Sequence, residues 1–502
     1  MTKSRIRETR TGTRTRTGVL GYTLALGLSA SLMSGTVYAQ SVDVSQWSPE
    51  YVRSIAGTEE FDTVGHCNDV TPTDYEGRVT FWYQGVFEGD PQIMRDNYDD
   101  FFKTFRETYP NIELVEQGIT YNELLDKFRT ALLGNAAPMV VRLQILGGTE
   151  FAAKGYLEEL RPEDVGYDTA DFWPGAMKAV TWEGVTYGIP TNNETMALIW
   201  NADIFEKAGL DPESPPETWD DVVTYSKTIH DKLGIAGYGL VARQNAGNTP
   251  YRFMPQMWAY GGGVFDEADA NPTYDEVRLD SPESKQALQA SYDMYVRDQS
   301  VPVSALTNTQ ADNQAPFISG QLAMVISHPS EYARMIELAE EATGSDKEVA
   351  ESVIENMRYG LIPKGPTGRR AVVFGGSNIH ILKPEYVDGG EVDTPAAKAL
   401  ICMYTSPEWS LKLAWAASNP GHLGGFRTKW MADRLDQIKF LDVTTSMLVD
   451  GIPFPAIPEA PEIMNIIVPD MLQNALTGAM SVDEAAENAA EQVRSLVDGG
   501  GL

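Results

Sequence analysis

The stretch from Arg78 to Gly134 reads RVTFWYQGVFEGDPQIMRDNYDDFFKTFRETYPNIELVEQGITYNELLDKFRTALLG. Its opening run, Arg78-Val-Thr-Phe-Trp-Tyr83, has the β-branched and aromatic content of a buried strand. Tyr98, Phe101, Phe105 and Tyr109 then recur at spacings of three and four, which predicts a helix ending at Pro110. Ile112-Glu-Leu-Val115 reads as a second strand. Tyr121, Leu124, Leu125, Phe128 and Leu132 mark a second helix closed by Gly134. Strand, helix, strand, helix implies an open, mostly parallel α/β sheet. Such sheets bind ligands beyond the carboxyl ends of their strands, so the loop from Tyr83-Gln84-Gly85 is expected at a cleft.

Upstream, Lys3, Arg5, Arg7, Arg10, Arg14 and Arg16 precede an apolar run from Gly18 to Met33 that ends in Thr36-Val-Tyr-Ala39. This pattern predicts a secretory signal peptide over 1–39, the alternative being a retained anchor helix. The apolar run falls short of the roughly 20 residues that span a bilayer. No cysteine stands just past the cleavage position to carry a lipid, so the expected compartment is a periplasm. Residues 40–77 are rich in turn formers and read as an N-terminal extension. Of the 502 residues, 71 are acidic and 39 basic, a net charge of −32, which disfavours nucleic acid and anionic membrane surfaces as partners. So long a chain exceeds a single core and implies more than one lobe. The two cysteines, Cys67 and Cys402, are compatible with one disulfide or with two thiols.

Downstream, Gly184-Val-Thr-Tyr-Gly-Ile-Pro-Thr-Asn-Asn-Glu-Thr-Met-Ala-Leu-Ile-Trp-Asn201 is followed by Pro215-Pro-Glu-Thr-Trp-Asp220 and Trp258-Ala-Tyr-Gly-Gly-Gly263. Phe317-Ile-Ser-Gly-Gln-Leu-Ala-Met324, Tyr359-Gly-Leu-Ile-Pro-Lys-Gly-Pro366 and Thr405-Ser-Pro-Glu408 come next. Within this set Thr218 is a predicted N-cap with Asp220 and Asp221 in the first turn. The series resembles, in order and over about 78–430, the family 1 extracellular solute-binding proteins, the carbohydrate-capturing subunits of bacterial ABC importers similar to maltose-binding proteins.

That resemblance implies a two-lobed periplasmic binding protein fold, each lobe a mostly parallel sheet flanked by helices. The first lobe would take 78–189 plus 328–382 and the second 190–327 plus 383–502. Hinge crossovers are expected near Ile189 to Asn193 and near Met324 to His328. The implied function is capture of a sugar or sugar-like solute between lobes that rock as rigid bodies, by a monomer that delivers it to ABC permease subunits. No cofactor, metal or catalytic residue is implied.

A pyranose presents apolar C–H faces and a rim of hydroxyls, so its site needs aromatic surfaces together with Asn, Gln, Glu or Arg side chains. On that chemistry Tyr83 and Gln84 are candidates at the first strand end, and Asn192, Asn193 and Glu194 at the crossover. The resemblance adds Trp258, Tyr260 and Gly262 before a glycine-lined approach to ligand, and the loop Gly376, Ser377 and Asn378. It also adds Arg427, although the Pro-x-Arg ending common in the family lacks its proline here. Arg142 and Gln144 follow Pro138-Met-Val-Val141 where relatives carry an Asp-Val-Val strand, and a cationic Arg142 would favour an acidic or phosphorylated sugar.

Other classes find little support in the residues. His66, His230, His328, His380 and His422 show no metal-ligand spacing. Gly375-Gly-Ser-Asn-Ile379 lacks the closing glycine of a nucleophile elbow. Gly237-Tyr-Gly-Leu-Val-Ala242 matches a dinucleotide pattern only loosely and reads as a turn. A secreted glycan hydrolase, which would need two opposed carboxyl groups, and a sensory co-receptor are the alternatives to transport.

Overall fold

The segment that decides the fold forms the elements its periodicity predicts: strand Gly77–Gln84, helix Gln92–Thr108, strand Ile112–Ile119 and helix Tyr121–Leu133. The two strands pair in parallel from Gly77 and Ile112 to Gln84 and Ile119. Phe101, Phe105 and Tyr109, the apolar stripe of the first helix, are fully buried against Phe81 and its neighbours. The Gly134 N–H donates to the Ala131 carbonyl and the Asn135 N–H to that of Leu132, closing the second helix. These facts come from a computed structural model that describes residues 47–499 apart from 89, 91, 245–247, 268–273, 416–417 and 436–439. The predicted signal peptide and residues 40–46 lie outside the described residues.

The first sheet has six strands in the order Asn419–Pro420, Ile189–Glu194, Gly375–Ile381, Val140–Gln144, Gly77–Gln84, Ile112–Ile119. Gly375–Ile381 runs antiparallel to both neighbours, which leaves the strands ending at Glu194, Gln144, Gln84 and Ile119 pointing the same way. The second sheet has four strands in the order Met357–Gly360, Ala197–Asn201, Leu322–Ser327, Ala236–Tyr238. Two of its three pairings are antiparallel, a departure from the mostly parallel sheet expected there. Ala236–Tyr238, read as the start of a turn, is its parallel edge strand. Thr218 caps helix Trp219–Leu233 as predicted, and Asp221 reciprocates by accepting from the Thr218 N–H.

Sheet membership redraws the expected lobe boundaries. Ile189–Glu194 belongs wholly to the six-stranded sheet and Ala197 opens a strand of the other, so the first crossing falls at Thr195 and Met196, past the expected hinge. After Ser327 the chain does not return. Tyr332, Met335 and Ala339 of helix Pro329–Glu341 bury against Ile199 and Val325, and Met357–Gly360 pairs with Ala197–Asn201, so 328–360, expected in the first lobe, lies with the second sheet. The return comes at 371–376, where Val372–Val373 pairs in parallel with Gly451–Ile452. Helices Thr394–Thr405 and Pro407–Ala414, expected in the second lobe, bury Leu400, Tyr404 and Leu413 with Val79 and Phe81 of the first sheet. Helix Val482–Asp498 packs Ala486, Ala490 and Val493 into the other core. Each apolar face follows the sheet that covers it, a long-range choice that linear order does not reveal.

The extension, which carried no assigned role, is built into the first lobe. Its helices Pro49–Ile55 and Thr63–Val70 bring Trp47 against Trp173 and Phe426, and Cys67 into a disulfide with Cys402 across a Cα separation of 5.8 Å. Arg53 pairs with Asp442 at 2.7 Å, fastening the extension to helix Leu441–Ser446.

Candidate ligand-binding cleft

Four parallel strands of the six-stranded sheet end on one edge, at Glu194, Gln144, Gln84 and Ile119. The chain leaves that edge at Glu194 for the second sheet and re-enters beside it at Gly375, which pairs with Glu194. A Cβ at Gly375 would stand 2.9 Å from Tyr251 Cε1 and 3.3 Å from Glu194 Cβ. Tyr251 lies in helix Asn248–Tyr260 of the second lobe, so its ring meets the first lobe at this point. His328 and Phe454 flank the same ring at 6.0 and 5.1 Å. Glu194, Tyr251, Gly375 and His328 thus meet at the boundary between the lobes, beside the carboxyl end of the strand Ile189–Glu194. Phe374, one residue earlier, is buried against Gly175 and Gly451, and these two glycines, with Lys178, Arg370 and Asp450, help to line a separate interlobe cavity of about 1030 Å³.

Beside this meeting point runs a buried polar chain. Arg142 donates from Nε to Thr191 Oγ1 at 2.9 Å and from Nη2 to Asn192 Oδ1 at 2.6 Å. Asn192 Nδ2 in turn donates to Ser418 Oγ at 2.8 Å, and Thr191 Oγ1 to the Ser377 carbonyl at 2.8 Å. Asn193 Nδ2 donates to the Pro420 carbonyl at 2.9 Å. Across the crossing, the His328 ring approaches the Thr195 carbonyl at 3.1 Å, and its backbone N–H donates to Glu331, which forms a buried ion pair with Arg252. Burial, reinforced by the Arg252 charge, holds the His328 imidazole below its ordinary pKa, so it is neutral at pH 7. These bonds satisfy groups that would otherwise be costly to bury, and they fix the frame around which the lobes join.

Of the residues singled out from sequence, Gln84, Gln144 and Glu194 stand half-buried at the strand ends. Arg142, Asn192, Asn193, Ser377 and Asn378 come together in the polar chain or beside it, each at most 7% exposed. Arg142 therefore already has neutral partners instead of an open anion site. Gly376, at φ +134°, is required for the close approach of strands, since a Cβ would fall 2.1 Å from the Asn192 carbonyl oxygen.

Five other candidates are displaced from the cleft. Tyr83 is buried between Phe81 and Tyr98, at ring distances of 5.2 and 5.4 Å, and it is Trp82 that turns outward, under Lys127. Strand alternation places one ring on each face, and the apolar helix covers the Tyr83 face. Trp258 is fully buried and donates to Glu267 Oε1 at 2.8 Å. Tyr260 is buried with its hydroxyl on Asp220 at 2.6 Å. Gly262 packs against Ser284, where a Cβ would meet Oγ at 2.5 Å. Arg427 pairs with Glu59 of the extension at 3.0 Å. Tyr251 was missed. Its signal was an aromatic directly after Pro250, in the first turn of an apolar helix that follows a second-sheet strand.

The fold and the site have counterparts among known proteins. The chain is 22% identical over 444 residues to the sn-glycerol-3-phosphate-binding periplasmic protein UgpB of Salmonella paratyphi A, covering 84% of this chain and 92% of that one. The solute-binding protein of a Thermotoga lettingae ABC transporter, bound with α-D-tagatose, superposes with a TM-score of 0.66 at 24% identity over 84% of this chain and all of that one. Maltose-bound MalE3 of T. maritima does so with 0.67 at 23%, with the same coverage. Both share the two-lobed fold. The profile of the bacterial extracellular solute-binding proteins matches residues 92–410, and the chain belongs to that family.

Proposed function

We propose that this protein captures a carbohydrate in the cleft between its lobes and delivers it to the membrane subunits of an ABC importer in the periplasm. The observation that carries the reading is the meeting of Tyr251 from one lobe with Glu194 and Gly375 from the other at the strand ends. An aromatic ring beside a carboxylate suits a sugar ring, with its apolar face and its hydroxyl rim. Ligand that touches both lobes stabilises the closed state by its differential affinity for it. Relatives whose names record maltose, tagatose and glycerol phosphate support a sugar or a sugar-like polyol. The basic, then apolar leader and the disulfide support an oxidising compartment outside the cytoplasm.

Thermal-shift screening of the mature protein against sugars, polyols and glycerol phosphates tests the reading, followed by calorimetry and a check for product. Ligand at about 100 times its dissociation constant adds about 2.7 kcal/mol to stability. A selective ligand recovered unchanged supports capture, whereas its turnover would establish a hydrolase instead.

A further inference from the structure

Helix Leu441–Ser446 stands between the lobes and packs on both. Phe440, just before it, lies with its ring 4.9 Å from Tyr332 and 5.8 Å from Tyr359, and Val443 joins the same second-lobe core. Leu441 and Leu448 are buried instead with Trp173, Leu411 and Trp415 of the first lobe. Thr445 donates to Asn419 Oδ1 on the edge strand of the six-stranded sheet at 2.8 Å, and the Thr444 carbonyl accepts from Thr195 at the first crossing. The lobes therefore cannot shift against one another without this helix slipping on one of its two surfaces.

The N-terminal extension decides which surface that is. Three attachments fix the extension to the first lobe: the Cys67–Cys402 disulfide, the packing of Trp47 on Trp173 and Phe426, and the Gly57 and Glu59 N–H groups, which donate to the carbonyls of Thr428 and Arg427 at 3.1 and 3.0 Å. From that base helix Pro49–Ile55 reaches across, burying Val52 and Ile55 in the cluster that holds Leu441 and donating from Arg53 Nε to Asp442 Oδ2 at 2.7 Å. The Asp442 side chain is only 7% exposed, and so buried a carboxylate is costly without its cation, so the pair resists separation. Toward the second lobe, Phe440 and Val443 make apolar contacts, which are non-directional and tolerate sliding. Toward the first lobe and the extension the helix is held by directional bonds, one of them charge-assisted. We infer that the extension is a brace on the hinge: it keeps helix Leu441–Ser446 with the first lobe, so that the lobes move by slippage of Tyr332 and Tyr359 past Phe440 and over a restricted range. This device does not depend on which solute the protein takes.

The test places spin labels at Leu133→Cys in the first lobe and Val303→Cys in the second, two exposed positions in a chain whose native cysteines are bonded to each other. Interlobe distances in the ligand-free mature protein are measured with and without Arg53→Met plus Asp442→Asn, which removes both charges together. Hydrogen exchange over 441–446 is followed in the same two proteins. Loss of the brace should broaden the distance distribution and speed exchange over 441–446 about ten-fold, while the core strands Gly77–Gln84 and Leu322–Ser327 exchange as before. Distances and exchange that match the parent protein would overturn the brace. Exchange that rises equally in all three segments would overturn it too, since that pattern marks only a loss of overall stability. If the double variant does not fold, Arg53→Gln alone is held to the same outcomes.

Discussion

Tyr251 and Gly375 sit face to face across the lobe boundary, so that a single carbon added at Gly375 would stand 2.9 Å from the tyrosine ring. One residue belongs to a helix of the second lobe and the other opens a strand of the first-lobe sheet.

Gly375→Val is therefore expected to hold the lobes apart at this point. Ligand affinity should fall by at least ten-fold, the equivalent of about 1.4 kcal/mol, a cost typical of an overpacked contact. Calorimetry with any ligand of the wild-type protein, together with the radius of gyration with and without it, measures the effect. An unchanged affinity would show that this contact is not part of closure.

Stability should decline as the solution is acidified below neutrality. His380 is buried with Nδ1 2.8 Å from the Tyr187 carbonyl, and burial lowers its pKa to about 4. The unfolded chain, with a histidine pKa near 6.5, binds the proton first, so the folded state loses stability as pH falls from about 6.5 toward 4. At pH 5 this group alone accounts for about 2 kcal/mol. His422, lowered by burial to about 3, acts in the same direction. His380→Gln should flatten the melting temperature between pH 7.5 and 5 relative to wild type.

The Cys67–Cys402 disulfide joins residues 335 apart in sequence and ties the extension to the first-lobe core. Replacing both cysteines by alanine should cost about 2–5 kcal/mol, read by denaturant unfolding. Dithiothreitol should lower the wild-type melting temperature and leave that of the variant unmoved.

Arg252 and Glu331 form an ion pair whose side chains are 5% and 10% exposed. Arg252→Met strands a buried carboxylate next to the His328 backbone and should destabilise by about 3–5 kcal/mol. Adding Glu331→Gln should recover most of that loss, a comparison that denaturant melts of the two variants make directly.

Local chemistry was enough to write individual elements. The three-and-four spacing of Phe101, Phe105 and Tyr109, the β-branched run at Val79 and the Thr218 cap each specify an element through contacts within a few residues. The order of motifs from Gly184 to Glu408 carried the family and the two-lobed architecture. Gln84 could be named because it ends a predicted strand, and strand ends are where such sheets bind, whereas Glu194 was named from the crossover and Gln144 from the segment that stands where relatives carry an Asp-Val-Val strand.

Partners distant in sequence decided the rest. Trp258 and Tyr260 carry the composition of a sugar site, yet Glu267 and Asp220 take their polar ends into the core, and Tyr251, with no motif of its own, reaches the first lobe at Gly375. Arg427 looked like a ligand group until Glu59 of the extension met it. The sequence by itself determined the elements and the family, because periodicity, capping and motif order are local properties. Only the tertiary structure decided which sheet claims 328–360, whether Cys67 meets Cys402 and which aromatic ring of the second lobe meets Gly375 of the first. Those outcomes depend on burial against surfaces brought together from far along the chain.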